Sequence, residues 1–158
     1  MIAFLFMLTG SAIAQDPNYL TFPDFSVKQG DQYTLNIEMI NTNLIRYGEF
    51  KLSLPTGLSV AKIANPDYDP TDPSSEPLIY DVALVRVNGH DIACNEVSPN
   101  LYGFVFSSMN KAVPGTSGTF VTVNLVADAA AAPGIKDLLL KDVILVSSAT
   151  SGFEPADK

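Results

Sequence analysis

Residues 50–58 read Phe-Lys-Leu-Ser-Leu-Pro-Thr-Gly-Leu and give the clearest local indication of the fold. The apolar side chains of Phe50, Leu52 and Leu54 alternate with polar ones, and a period of two places all three on one face of a β-strand. The Pro-Thr-Gly that follows is typical of a turn, and Leu58 begins a return strand. The stretch therefore predicts two β-strands joined by a tight turn, with one face buried.

The same alternation recurs on both sides of this stretch. Upstream, the apolar face of a strand is formed by Tyr33, Leu35, Ile37 and Met39. Downstream, further apolar β-prone runs occupy residues 80–87, 101–106, 119–126 and 138–146. The one alanine-rich run, residues 127–132, is ended at once by Pro133-Gly134, so helix evidence is thin. Short strands with turn signals between them predict an all-β sandwich or barrel.

Three segments predict turns and loops between these strands. Asn88-Gly89 is a strong hairpin signal after the run at residues 80–87. Gly115-Thr116-Ser117-Gly118 is interpreted as a second hairpin turn. Residues 65–77 hold four prolines and four acidic residues, which predicts a long exposed loop.

Length and charge narrow the class of partner. A chain of 158 residues is enough for one domain with its own apolar core. Its 9 basic residues against 17 acidic ones give a net charge of −8, which repels phosphate backbones and anionic lipid surfaces. Nucleic acid is therefore not expected as a partner, whereas neutral ligands such as sugars and cationic protein surfaces are compatible with this charge.

The N-terminus predicts an export signal. Residues 2–8 are apolar but too few to span a bilayer, and Ala12-Ile13-Ala14 matches the small-x-small pattern of signal cleavage before Gln15. No Lys or Arg precedes the apolar run, and a buried N-terminal strand is the alternative. We expect a signal peptide at 1–14, a sandwich domain at 15–150, and a polar tail or linker start at 151–158. The protein is then secreted or on the cell surface, with no membrane insertion after cleavage.

Catalytic residues are not predicted. The single cysteine, Cys94, has the single histidine, His90, only four residues upstream. In an extended strand the two lie roughly 13 Å apart, too far for a nucleophile and its base. Cys94 is interpreted as a small apolar residue in a strand; a nucleophile or an intermolecular disulfide are the alternatives. No nucleophile-elbow, phosphate-binding or dinucleotide-binding motif occurs in the sequence, so we expect a non-enzyme.

The acidic loop offers two weak binding features. Asp67, Asp69 and Asp72 place hard oxygen ligands at short spacing, which makes them weak calcium candidates, although the glycine and terminal glutamate of an EF-hand loop are missing. A solvated acidic loop without any cofactor is the simpler interpretation. Tyr68 in the same loop could stack on a sugar ring. Because the chain has no tryptophan, the sequence favours a protein partner over direct polysaccharide binding.

The order of these features resembles that of cohesin modules. The features are the starting segment at 20–30, the Phe-x-Leu-x-Leu-Pro-x-Gly-Leu element at 50–58, the glycine-flanked segment at 115–120, and Ala132-Pro133-Gly134 before the closing strand. The resemblance covers residues 19–147 and implies a jelly-roll β-sandwich of about nine strands, a fold that cohesins share with some carbohydrate-binding modules.

The resemblance also implies a non-catalytic role. Cohesins bind dockerins to assemble polysaccharide-degrading complexes, and this chain, lacking the duplicated calcium loop of a dockerin, would be the receptor. A carbohydrate-binding module and a structural subunit of a surface assembly are the alternatives. Arg86, His90 and Asn110 fall where divergent cohesin-like domains repeat an Arg, a His and a Ser-x-x-Asn, so they are binding candidates. A purely structural hydrogen-bonding role is the alternative for Arg86 and His90.

Overall fold

The computed structural model describes residues 18–86, 89–109, 111–129, 131–135 and 137–147. The predicted signal peptide, the polar tail and Asn110 lie outside them. The described residues form strands and no helix, and so include no helix that could cross a membrane. The strands are β1 (Asn18–Thr21), β2 (Ser26–Val27), β3 (Gln32–Asn41), β4 (Ile45–Ser53), β5 (Leu58–Val60), β6 (Lys62–Ala64), β7 (Leu78–Tyr80), β8 (Val82–Leu84), β9 (Asp91–Ser98), β10 (Leu101–Ser107), β11 (Thr116–Ala127), β12 (Gly134–Ile135) and β13 (Leu139–Ser147).

Nine of these strands build two antiparallel sheets. The five-stranded sheet runs β1-β3-β11, and β5 and β8 pair one after the other along the free side of β11. The four-stranded sheet runs β13-β4-β10-β9. Two short pairs, β12-β2 and β6-β7, complete the described fold. The prediction of an all-β sandwich of about nine strands is confirmed.

The inward side chains of both sheets form one apolar core. Within the four-stranded sheet the rings of Phe50 and Phe104 stack at 4.6 Å between centroids. Between the sheets Phe106 of β10 meets Phe120 of β11 edge-on, with centroids 4.7 Å apart. Edge-on and offset contacts of this kind stabilise by about 0.5–1.5 kcal/mol beyond the area they bury. The alternation read from residues 50–54 thus identifies the inward face correctly.

Gly48 makes room for the ring of Phe106. The two residues are direct partners in the β4–β10 register. A Cβ atom on Gly48 would lie 2.5 Å from Cζ of Phe106 and 2.8 Å from the carbonyl oxygen of Ile144. Neither distance is sterically allowed, so a glycine is required at this position in the middle of a strand.

Two predicted segments fold differently from expectation. The hairpin turn assigned to residues 115–118 is wrong, because Thr116 to Gly118 already belong to β11 and pair with β3. Gly115 is needed for close approach, since a Cβ there would lie 2.8 Å from the carbonyl oxygen of Thr42. The run at residues 80–87 is not one strand, because Asp81 separates β7 from β8.

Strand pairing changes at Asp81, because β7 before it pairs with β6 and β8 after it pairs with β11. The N–H of Asp81 donates to the carbonyl oxygen of Ala61 at 2.8 Å, and the N–H of Asn124 donates to the carbonyl oxygen of Asp81 at 3.0 Å. These bonds close the base of a hairpin that comprises β6, the proline-rich loop and β7, called the arm below. Tyr80, at the end of the arm, packs edge-on against Tyr102 of the core at 5.6 Å.

We expect Gly48→Ala to destabilise the fold by about 1–3 kcal/mol, the usual cost of forcing extra atoms into a packed core. Urea unfolding followed by tyrosine fluorescence measures this. Gly103→Ala is the matched control, because a Cβ there meets the movable Cγ1 of Val97 at 3.1 Å and the carbonyl oxygen of Asn95 at an ordinary contact distance of 3.9 Å. A Gly48→Ala protein as stable as the Gly103→Ala protein would contradict the packing argument.

Candidate functional site

The outer face of the four-stranded sheet is the candidate site, called the four-stranded outer face. Its side chains form four rows that cross the sheet from β13 through β4 and β10 to β9. The rows are Leu139, Ser53, Leu101 and Ser98; Lys141, Lys51, Gly103 and Asn95; Ile144, Glu49, Val105 and Ala93; and Val146, Tyr47, Ser107 and Asp91. Because successive residues of a strand point to opposite sides, the register alone places these side chains away from the core.

Large apolar side chains are exposed on this face. The exposed fraction is 53% for Leu139, 48% for Ile144, 45% for Val146 and 42% for Val105. Val97 of β9, 55% exposed, leans over the side-chain-free surface of Gly103. An exposed apolar cluster with polar residues between its members is typical of a surface that another protein covers.

Several charged groups on or beside this face are engaged locally. Nζ of Lys51 lies 2.7 Å from a carboxylate oxygen of Asp142, and this hydrogen bond raises the pKa of Lys51 and lowers that of Asp142. The hydroxyl of Tyr47 donates to Glu49 at 3.1 Å, which raises the pKa of Tyr47. The Lys51–Asp142 pair is exposed and adds little stability, and the Tyr47–Glu49 hydrogen bond is partly buried. Lys51 and Asp142 thus neutralise each other's charge, and Glu49 accepts a hydrogen bond from a neutral hydroxyl.

The outer face of the five-stranded sheet, called the five-stranded outer face, has a different composition. Its central positions carry hydroxyl, amide and carboxylate groups. They are Thr21 of β1; Thr34, Asn36 and Glu38 of β3; and Thr119, Thr122 and Asn124 of β11. The two outer faces therefore differ in composition: the four-stranded one exposes several large apolar side chains among polar and charged residues, whereas the central strands of the five-stranded one present polar groups.

The apolar residues of the four-stranded outer face are not among the binding residues predicted from the sequence. The sequence of β13 does indicate them, because apolar residues occur on both faces of this strand. They are Leu139 and Leu140, and then Ile144, Leu145 and Val146. Only one face of such a strand packs against the core, so apolar residues on both faces leave one apolar face outside it. At the edge of a sheet, that face points to solvent or to a partner.

Arg86, a predicted binding residue, is engaged within its own chain. One guanidinium nitrogen donates to the carbonyl oxygen of Met39 at 2.7 Å, and another donates to the side-chain oxygen of Asn41. Asn41 is only 3% exposed, and its amide donates to the carbonyl oxygens of Asn43 and Pro114 at 2.7 and 3.0 Å. These contacts favour the structural alternative, and a binding role for Arg86 stays a prediction.

The other binding candidates do not converge on one place. Tyr68 is 44% exposed in the loop of the arm. Both ring nitrogens of His90 are buried and find no hydrogen-bond partner among the described residues. Asn110 lies outside the described residues. Their binding roles stay predictions.

The weak calcium candidates support turns of the loop. Oδ1 of Asp69 accepts bonds from the N–H and hydroxyl of Thr71 at 2.8 and 2.7 Å, which lowers the pKa of Asp69. Oδ1 of Asp72 accepts the corresponding bonds from Ser74 at the same distances. Together with Asp67, these residues form no group able to hold a metal ion within the described part of the chain. Calcium binding is a hypothesis without a ligand cluster there.

Cys94 lies on the inward side of β9, opposite Phe104, and packs against the core. Burial raises the pKa of its thiol to about 12. At neutral pH the sulfur is therefore a protonated thiol, which is a poor nucleophile and a poor metal ligand.

We expect the Cys94 thiol to react far more slowly in the folded protein than in the unfolded one. Relative to a pKa of 9.0, a pKa of about 12 lowers the thiolate fraction about a thousandfold at pH 8. Iodoacetamide labelling with and without guanidinium, read by mass spectrometry, measures the ratio. Because the chain has one cysteine, the readout is unambiguous. Equal rates in both states would contradict the burial of this side chain.

We expect stability to fall as the pH drops below about 6.5 because of His90. Burial of the ring lowers its pKa in the folded state; nearby Asp91 opposes this shift, and Arg46 adds to it. Between the lowered folded pKa and the unfolded value, the unfolded chain binds more protons, so the free energy of unfolding decreases with decreasing pH. Thermal unfolding between pH 7.5 and pH 5 measures this as a falling Tm. His90→Leu should flatten that part of the profile, and an unchanged slope would contradict the assignment.

Comparison with known proteins establishes the fold. No family model and no curated protein matches the chain. Among solved structures, the sixth cohesin of scaffoldin B from Acetivibrio cellulolyticus, in complex with a Cel5 dockerin mutant, is similar with a TM-score of 0.56 and 15% identity over 84% of this chain and 87% of that chain. The Coh-OlpA-Doc918 complex from Clostridium thermocellum, described as a type I cohesin–dockerin complex, gives 0.56 and 12% over 84% and 87%.

A third structure extends the likeness to an archaeon. It is a non-cellulosomal cohesin from the hyperthermophile Archaeoglobus fulgidus, with a TM-score of 0.55 and 14% identity over 81% of this chain and 78% of that chain. The TM-scores of 0.55 and 0.56 establish the shared architecture, whereas identities of 12–15% leave the function to be argued from the surface. The chain has a cohesin-like β-sandwich fold.

Proposed function

We propose that this chain is a non-catalytic binding module that docks a folded protein partner on its four-stranded outer face. The observation that carries the proposal is the contrast between the two outer faces of the sandwich. The five-stranded outer face presents hydroxyl and amide groups, whereas the four-stranded one exposes Leu139, Ile144, Val146, Val105 and Val97.

Covering this face is favourable for a protein partner. Each apolar side chain that is 40–55% exposed loses that contact with water on docking, at about 25 cal/mol per Å² of apolar surface. The neighbouring charges of Lys51 and Asp142 are already paired, so a partner need not supply their counter-charges. The outer face of a sheet suits another folded surface better than a small ligand, which needs a concave pocket.

The chemistry of the single cysteine and histidine supports a non-catalytic role. Burial keeps the Cys94 thiol protonated and favours the neutral form of His90. The fold likeness supports a dockerin-like protein as the partner, because two of the similar structures are cohesin–dockerin complexes. The apolar run at residues 2–8, followed by Ala12-Ile13-Ala14, supports export, so the module would act outside the cell in a polysaccharide-associated assembly.

We expect Val105→Glu to weaken partner binding roughly tenfold or more, because it places a charge at the centre of the apolar surface. The partner would be captured from the secreted proteins of the source organism, purified, and titrated by calorimetry. Asn36→Glu is the matched control, since it adds the same charge at an exposed position of the five-stranded outer face and should leave the affinity unchanged.

Two results would overturn the proposal. One is a purified partner whose affinity is insensitive to Val105→Glu while Asn36→Glu abolishes binding. The other is that no protein partner is captured at all, whether or not the chain is retained on insoluble glycan. Circular dichroism of both variants verifies that neither substitution alters the fold.

A further inference from the structure

A polar cleft of about 200 Å³ opens on the five-stranded sheet at the base of the arm. Gln32 and Thr34 of β3 form one wall, and Asn124 of β11 forms the floor. The opposite wall is formed by Ala61 and Asp81, the two residues between which the arm leaves and rejoins the sandwich. The cleft therefore lies on the sheet opposite to the proposed docking surface.

The polar side chains of this cleft are held by one another. The hydroxyl of Thr34 donates to Oδ1 of Asn124 at 2.6 Å, and Nδ2 of Asn124 donates to Oδ2 of Asp81 at 2.8 Å. The backbone fixes the same residues, because the N–H of Ala61 donates to the carbonyl oxygen of Asn124 at 2.8 Å. The cleft is thus preorganised, which lowers the entropic cost of binding a ligand.

The donor and acceptor set indicates a neutral ligand with several hydroxyl groups. No lining residue is cationic, which disfavours anions, and the single carboxylate of Asp81 does not belong to any metal-binding group among the described residues. Oδ2 of Asp81 is engaged, so Oδ1 and the amide of Gln32 are the groups best placed to exchange hydrogen bonds with a ligand. The partly buried Tyr33 and the buried Leu125 also border the cleft.

The size of the cleft limits the ligand. Its volume is below the roughly 300–1,000 Å³ of clefts that hold drug-sized molecules. We propose that this cleft binds one ring of a sugar through Asp81, Gln32, Thr34 and Asn124. The module then has two binding surfaces on opposite sheets, one for a protein and one for a glycan unit, and the second goes beyond the proposed docking function.

The test is an amide NMR titration of the ¹⁵N-labelled protein with the methyl glycosides of glucose, galactose, mannose and N-acetylglucosamine, each to about 20 mM, where weak sites become measurable. At least one glycoside should shift the amide signals of Thr34, Ala61 and Asn124. Asp81→Asn and Gln32→Ala should each weaken that binding about fivefold or more, because the first replaces a charged acceptor by a neutral amide and the second removes a hydrogen-bonding group. Asn36→Ala, two residues from Thr34 on the same face, should leave it unchanged.

Specific outcomes would overturn the inference. No shift at these amides with any of the four glycosides would do so, and so would equal binding by the Gln32→Ala protein, which changes an exposed residue and should fold normally. Shifts produced by N-acetyl-lysine methylamide but by no glycoside would identify an ammonium site instead. Val105→Glu should bind the glycoside normally, so failure of the docking proposal and failure of this one are separable.

Discussion

The ring of Phe106 packs over the bare Cα of Gly48, and this contact links the two sheets of the sandwich. The ring occupies the space that a side chain of the neighbouring strand would fill, and from there it reaches Phe120 of the opposite sheet. The carbonyl oxygen of Ile144 borders the same space, so β13 is held at a fixed distance as well. The absence of a side chain at Gly48 therefore allows β4, β10 and β13 to pack closely, and it lets the Phe106 ring contact β11 of the other sheet.

Much of this architecture is predictable from the sequence because the pattern is local. The alternation at Phe50, Leu52 and Leu54 identifies the inward face without knowledge of any partner strand. The arm is not predictable in this way, because β6 pairs with β7 across the whole proline-rich loop. The error at residues 115–118 has a related cause: Gly115 permits close contact with Thr42 rather than a turn, and nothing local distinguishes these two reasons for a glycine.

The candidate site was harder to predict than the fold. Sequence reasoning selects residues with distinctive chemistry, such as Arg86, His90 and Tyr68, yet the surface proposed to bind protein consists of ordinary valine, leucine and isoleucine. Only the register shows which of them face outward, since the bulge between Lys141 and Ile144 changes the phase of β13. Arg86 illustrates the converse, because a distinctive side chain is engaged in holding the end of β3.

β5 and β8 pair with the same side of β11, and this arrangement determines where the sequences of such chains can diverge in length. The arm is inserted where these two half-strands meet, and Ala61 and Asp81 are already joined by a backbone hydrogen bond of 2.8 Å. Because the two ends of an insertion at such a point are adjacent, its length and composition can change without altering the pairing along β11. Related chains could acquire longer, shorter or differently charged arms while keeping the same scaffold, so new specificities can evolve there at little cost to folding.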